Sequence, residues 1–215
     1  MKRVFFTFIF GVLLMSACTL EFNKKTNGDS GEKTAANPET NNTELRNSGE
    51  KAGNSASEKN IFEEKEKFAA ECANINTGEK KLLKSQTFPV DFPPFKNSCF
   101  ITAHDPEYTD PPLDSEFSIY RDGEEIFFFP GQFNGVSVGC WVEAVSFQDL
   151  NNDNLKDIIV VGKCSAKSAP YNENMVYVNT GTTFITDEDA NYKLADFQKV
   201  KDIADFVRRN KQIFF

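Results

Sequence analysis

The chain has 215 residues, 22 of them Phe, and sets 24 Lys and Arg against 32 Asp and Glu for a formal net charge of −8. That length allows one ordinary domain with appendages, and an apolar fraction of 40% supplies a core, which excludes wholesale disorder. The acidic balance excludes general nucleic-acid binding, which needs a basic footprint, and a single His leaves little scope for His-based catalysis or a His-rich metal site.

Lys2 and Arg3 precede a run of mostly apolar residues over 4–17. The run has the length of a signal h-region and is too short to span a bilayer as a helix. It ends Leu14-Met15-Ser16-Ala17-Cys18, which resembles the lipobox of bacterial lipoproteins, with Met15 standing where Leu is commonest. The resemblance implies that residues 1–17 are removed and that the Cys18 thiol carries diacylglycerol. Thr19 and Leu20 follow, with no Asp beside the Cys. In enteric-type Gram-negative bacteria that absence resembles outer-membrane sorting. The lipid supplies membrane affinity at about 0.8 kcal/mol per buried CH₂.

Residues 18–60 form the next unit: the lipidated Cys and then a polar stretch whose only bulky apolar residues are Leu20, Phe22 and Leu45. Such a composition cannot bury enough apolar surface to offset ordering entropy, so the segment reads as a disordered tether. As a flexible coil it reaches about 35 Å root-mean-square.

Composition changes at Ile61, and residues 61–215 read as one α+β domain large enough for its own core. Asn60 as cap and Glu63 at the capping-box position predict a helix, with Ile61, Phe68 and Cys72 on one stripe and Gly78 as a stop. Pro89, Pro93 and Pro94 make 88–95 an extended, irregular connector. Residues 117–129 predict a β-hairpin turning on Asp122-Gly123. Two strands, 138–147 and 157–161, carry the strongest burial signal, and the second is apolar without interruption, as expected for a strand covered on both faces. A short strand at 175–178 and a final helix over 196–209 complete the elements. Val200, Ile203, Ala204 and Val207 share one face of that helix, and Arg208 and Arg209 suit its C-terminal dipole.

Between the two buried strands runs Asp149-Leu150-Asn151-Asn152-Asp153-Asn154-Leu155-Lys156-Asp157. Side-chain oxygens recur at positions 1, 3, 5 and 9, and Leu155 offers a backbone carbonyl at position 7. Hard oxygens at this spacing suit Ca²⁺. Asn154 stands where Gly is usual and tolerates a left-handed backbone. Position 12 is Val160, so the loop is not an EF-hand but a strand-loop-strand site. The alternative is a metal-free Asx-turn hairpin.

This run, with Ile158-Ile159-Val160-Val161-Gly162 after it and Val176 to Phe184 downstream, resembles the FG-GAP repeat. That repeat forms calcium-holding blades in integrin α-chain propellers and many bacterial surface proteins. The resemblance covers about residues 140–185 and implies Ca²⁺ ligation by Asp149, Asn151, Asp153, the Leu155 carbonyl and Asp157. Only one repeat is present, so it implies a calcium loop and not a propeller.

Cys72, Cys99, Cys140 and Cys164 are an even set in an exported chain, which predicts two disulfides with three possible pairings. A hairpin around the loop sets Cys140 nearly opposite Cys164, favouring Cys140–Cys164 with Cys72–Cys99. No Cys-x-x-Cys pair, Gly-x-Ser-x-Gly elbow, P-loop or dinucleotide fingerprint is present. His104 in an acidic, Pro-rich surface loop (104–114) and Glu143 in an apolar strand are the remaining chemical candidates. The expectation is therefore a lipid-anchored protein of the cell envelope, facing the periplasm or exterior, in the outer membrane if the cell is Gram-negative. Its fold is an antiparallel sheet core with N- and C-terminal helices, stapled by disulfides. The expected role is non-enzymatic binding of an envelope or extracellular protein or glycan. The alternatives are a hydrolase using Glu143 and the acidic loop, and an inhibitor of an envelope-attacking enzyme.

Overall fold

The structure, a computed structural model, describes residues 55–215, with side chains from Asn60 onward. The expected signal, the lipidation at Cys18 and most of the expected tether lie outside the described residues. No helix among the described residues is long and apolar enough to cross a membrane.

The first helix, α1 (Ser55–Cys72), starts earlier than predicted, so Asn60 lies inside it and caps nothing. Residues 55–59 contain no Gly or Pro and include Ala, Glu and Lys, good helix formers that let the helix extend back past the expected boundary. Ten strands follow: β1 (Lys81–Leu82), β2 (Phe88–Phe92), β3 (Phe95–His104), β4 (Glu116–Arg121), β5 (Glu124–Phe128), β6 (Cys140–Gln148), β7 (Asp157–Cys164), β8 (Tyr171–Asn172), β9 (Met175–Asn179) and β10 (Phe184–Ile185). The chain ends in α2 (Glu188–Asn191), α3 (Val200–Arg209) and α4 (Lys211–Phe214).

Among the described residues every strand pairing is antiparallel, and the strands form two sheets. The first runs β1-β3-β4-β5 with β2 also on β3, and the second runs β10-β9-β7-β6 with β8 also on β7. Neither forms a propeller, and the α+β class expected from the sequence is what the fold shows.

The two sheets pack face to face. Phe100, Phe117 and Ile119 of the first meet Ile158, Val160, Met175 and Tyr177 of the second. Edge-to-face and tilted ring pairs fill the interface, among them Phe117 with Tyr177 at 5.7 Å and Phe129 with Phe184 at 5.5 Å between centroids. Side chains on β7 alternate: Ile158 and Val160 face the first sheet, while Ile159 and Val161 join Ile203, Ala204 and Val207 of α3. This second cover explains why the strand is apolar at every position. On the outer side of the first sheet, Phe68 of α1 packs on Cys99 and Ile101. The order of layers is helix, sheet, sheet, helix.

The Pro-rich stretch expected as an irregular connector is instead the β2–β3 hairpin, with Phe88 opposite Phe100 and Phe92 opposite Phe95. Pro89 is tolerated because among the described residues β2 bonds only to β3, leaving its other edge without a ladder to donate to. The 117–129 hairpin is present as β4–β5, turning on Asp122 (φ 54°) and Gly123 (φ 84°). Gln132 extends its ladder. The Gln132 side chain accepts from Phe117 N at 3.0 Å and donates to Phe117 O at 2.9 Å, pairing with β4 where β5 ends.

Both disulfides pair as expected, Cys72–Cys99 and Cys140–Cys164. The first ties α1 to β3. The second joins residues directly opposite in the β6–β7 ladder.

Candidate functional site

The 149–157 loop is the turn of the β6–β7 hairpin, closed at its base by the Gln148–Asp157 pair. Asp149 organises its first half. One carboxylate oxygen accepts from Asn152 N at 2.7 Å and Asp153 N at 3.2 Å, and the other accepts from Asn154 N at 2.9 Å. Asn152 (φ 70°) and Asn154 (φ 68°) take left-handed backbone there, which Asn tolerates better than most side chains. Burial pushes the Asp149 carboxyl up, but the three amide N–H groups and Lys156 outweigh it, so the group stays ionised below the usual aspartate range.

Asn151 and Asp153 stand next to each other. The Asn151 amide donates to Asp153 Oδ2 at 2.9 Å, its Oδ1 accepts from Asp153 N at 3.0 Å, and Asp153 Oδ1 accepts from Leu155 N at 2.8 Å.

Asp157 is wholly buried. Its two oxygens accept from Leu150 N and Asn179 N, each at 3.0 Å. Burial raises its pKa, the two N–H groups pull it down in part, and the negative charges of Asp153 and Asp149 raise it again. The carboxylates of Asp153 and Asp149 thus sit close enough to Asp157 to disfavour its charge.

The C-terminal helices grip the loop from outside. Lys211 Nζ donates to the Asn151 carbonyl at 2.7 Å, and Arg208 donates to Gln148 Oε1 at 2.7 Å. Leu150, wholly buried, points into the α3 cluster with Ile203 and Val207.

Among the described residues, no three His, Cys, Asp or Glu side chains form a metal-holding group by themselves. An ion here would therefore need the Asn151 amide oxygen and the Leu155 carbonyl as well as carboxylates. The donor set fits Ca²⁺ in chemistry: it is all oxygen, and although Asp149 Oδ1 already accepts two N–H groups, Asp149 Oδ2 and both oxygens of Asp153 accept one each and retain lone pairs. A divalent cation would relieve the mutual repulsion felt at Asp157.

The hydrolase candidates are held in other ways. His104 does not lie on a surface loop as expected. It closes β3, is 3% exposed, and donates Nδ1–H to the Asp105 carbonyl at 2.8 Å. Glu143 is the extra residue of a bulge in β6, between the pairs Val142–Gly162 and Ala144–Val161. A bulge turns its side chain outward and interrupts the apolar alternation. Its carboxylate accepts from Trp141 Nε1 at 2.6 Å and pairs with Lys163 at 3.4 Å.

A buried polar cluster escaped the sequence reading. Asn191 donates to Asn134 Oδ1 at 3.0 Å, Asn134 donates to Glu173 Oε2 at 2.8 Å, and Val176 N donates to Asn191 Oδ1 at 3.0 Å. It fastens α2 and the 131–135 turn to β9. Its members lie far apart in a chain rich in Asn, so no sequence signal singled them out. No protein-family model matches the chain, and no curated protein or solved structure matches it.

Proposed function

We propose that this chain is a lipid-anchored protein of the cell envelope. Its folded domain acts as a non-enzymatic binding module with Ca²⁺ in the 149–157 loop. The observation that carries the calcium reading is buried Asp157, which feels the negative charges of Asp149 and Asp153 within a loop of oxygen donors. Ca²⁺ supplies positive charge and oxygen coordination there and fixes the turn between the two central strands. Asp149, Asn151, Asp153, Asp157 and the Leu155 carbonyl would hold it. A structural role follows from position, since Leu150 beside the site packs into the α3 cluster and Asp157 reaches β9.

The anchoring reading is supported by the lipobox-like Leu14 to Cys18 run and by the two disulfides, which belong to an oxidising compartment. The non-enzymatic reading is supported by the partners of Glu143 and His104, each engaged in a structural contact.

The test is made on the full chain in cells. Palmitate labelling is expected on the wild type and lost with Cys18→Ser, and thermal stability of the purified protein is expected to rise with Ca²⁺ over chelator. Labelling that survives Cys18→Ser removes the anchor, and a melting midpoint indifferent to Ca²⁺ removes the ion.

A further inference from the structure

The sheet edges of this domain are unequally protected. An exposed edge strand presents unpaired N–H and C=O groups and invites another strand unless it is short, charged, covered or broken by Pro. β1 and β10 have two residues each, and β2 carries Pro89. On β6 the Glu143 carbonyl accepts from Gln86 Nε2 at 3.1 Å, which covers that edge at its bulge. β5 differs. It pairs only with β4, and among the described residues no other backbone hydrogen bond reaches 124–128.

The side chains along β5 are polarised. Glu124 and Glu125 open the strand, and a bulge at Ile126 lies between the pairs Tyr120–Glu125 and Ile119–Phe127. The two carboxylates and the bulge guard only the start of this edge, whereas Ile126, 41% exposed, and Phe128, 51% exposed, leave its second half apolar and open. Phe128 also borders a cavity of about 310 Å³ lined by Phe133, Val136, Glu116 and Lys80. That space is large enough for a side chain of an incoming strand.

We propose that β5 is a docking edge for an extended segment of a partner protein, added antiparallel to it. The segment carries apolar residues against Ile126 and Phe128, and Lys or Arg at its C-terminal end against Glu124 and Glu125. Strand addition takes affinity from main-chain hydrogen bonds and specificity from alternate side-chain contacts. The charge of the occupant follows from the two carboxylates at the start of β5 and from the acidic character of the whole chain. This inference rests on the reading of the domain as a binding module and is independent of the calcium loop.

The test uses the full chain and two fluorescent ten-residue peptides of alternating Val and Thr, one ending in two Lys and the other in two Glu. The Lys peptide is expected to bind saturably, at least tenfold more tightly than the Glu peptide, and to slow amide exchange at 124–128. The double variant Ile126→Lys/Phe128→Lys is expected to abolish that binding while core amides keep their protection. Absence of binding, equal affinity for the two peptides, or protection elsewhere overturns the assignment. Self-association that protects 124–128 without peptide also overturns it, by making a second copy the occupant. A Ca²⁺ titration on the same sample is unaffected by any of these results, so the two readings fail separately.

Discussion

Asp157 and Asn179 clasp one another across the second sheet. Asn179 N donates to Asp157 Oδ1 at 3.0 Å, while the Asn179 side chain donates to the Lys156 carbonyl at 3.1 Å and to the Pro93 carbonyl at 2.7 Å. One residue thus ties the loop to β9 and to the β2–β3 turn of the other sheet. The loop is therefore a junction between layers, and perturbing it should be felt in global stability.

The pH dependence of the metal-free protein tests this. The folded pKa of Asp157 lies above its ordinary value, so its contribution is fully present below about pH 4 and is lost as pH rises through the folded pKa. Asp149 has the opposite sign: its contribution is present above the ordinary aspartate range and lost only as pH falls below it. Denaturant unfolding in chelator should show stability declining as pH rises above about 4, and Ca²⁺ should cancel the decline by favouring ionised Asp157. Asp157→Asn should remove the decline, while its new N–H₂ faces an existing donor and lowers stability at every pH by about 1–3 kcal/mol. A stability that rises across the same interval would contradict the assignment.

Gly162→Ala should destabilise the domain. A Cβ at 162 would lie 2.3 Å from the Glu173 carbonyl oxygen and 2.9 Å from the Phe133 ring. Backbone must move to admit it, and overpacking of this kind costs about 1–3 kcal/mol or more. Urea unfolding should report the loss as a lower midpoint with an unchanged slope.

Ile203→Ala removes a wholly buried side chain from the cluster that seats α3 on β7 and Leu150. The expected cost is about 2–5 kcal/mol. Because Lys211 holds the loop at Asn151 and Arg208 holds Gln148 at its base, amide exchange in 149–157 should quicken as well. Fast exchange confined to the helix would show that the grip on the loop does not depend on this packing.

Replacing Cys140 and Cys164 together by Ser should cost about 3–4 kcal/mol on the loop-entropy account, given a sequence separation of 24. The ladder around the pair should survive, since β6 and β7 are held at seven further positions. Circular dichroism should keep its strand signal while the melting midpoint falls.

Much of this architecture could be read from residues. Asp122-Gly123 announced its hairpin because type I′ geometry needs two positive-φ residues, and the unbroken run at 157–161 announced a doubly covered strand. The disulfide pairing followed from the hairpin around the loop. β3 went unread because it is buried at every position from Ser98 to His104 and so shows no period-two alternation, and its partner β2 was hidden by proline. Glu143 looked anomalous in sequence because a bulge, invisible to a period-two pattern, reverses its direction. The candidate site was legible as a spacing of oxygens. The burial of Asp157 and its link to Asn179 were not, because they depend on β9 packing from 22 residues away. The grip of Lys211 on Asn151 depends on contact across 60 residues.

The measurement that bears most directly on the loop is a calorimetric Ca²⁺ titration of the metal-stripped, oxidised chain beside Asp149→Ala/Asp153→Ala. One saturable site is expected in the wild type and none in the variant, with about 2.7 kcal/mol of added stability at a hundredfold excess over Kd. A folded wild-type protein that takes up no Ca²⁺ would contradict the calcium reading and leave the loop as a hydrogen-bonded Asx turn.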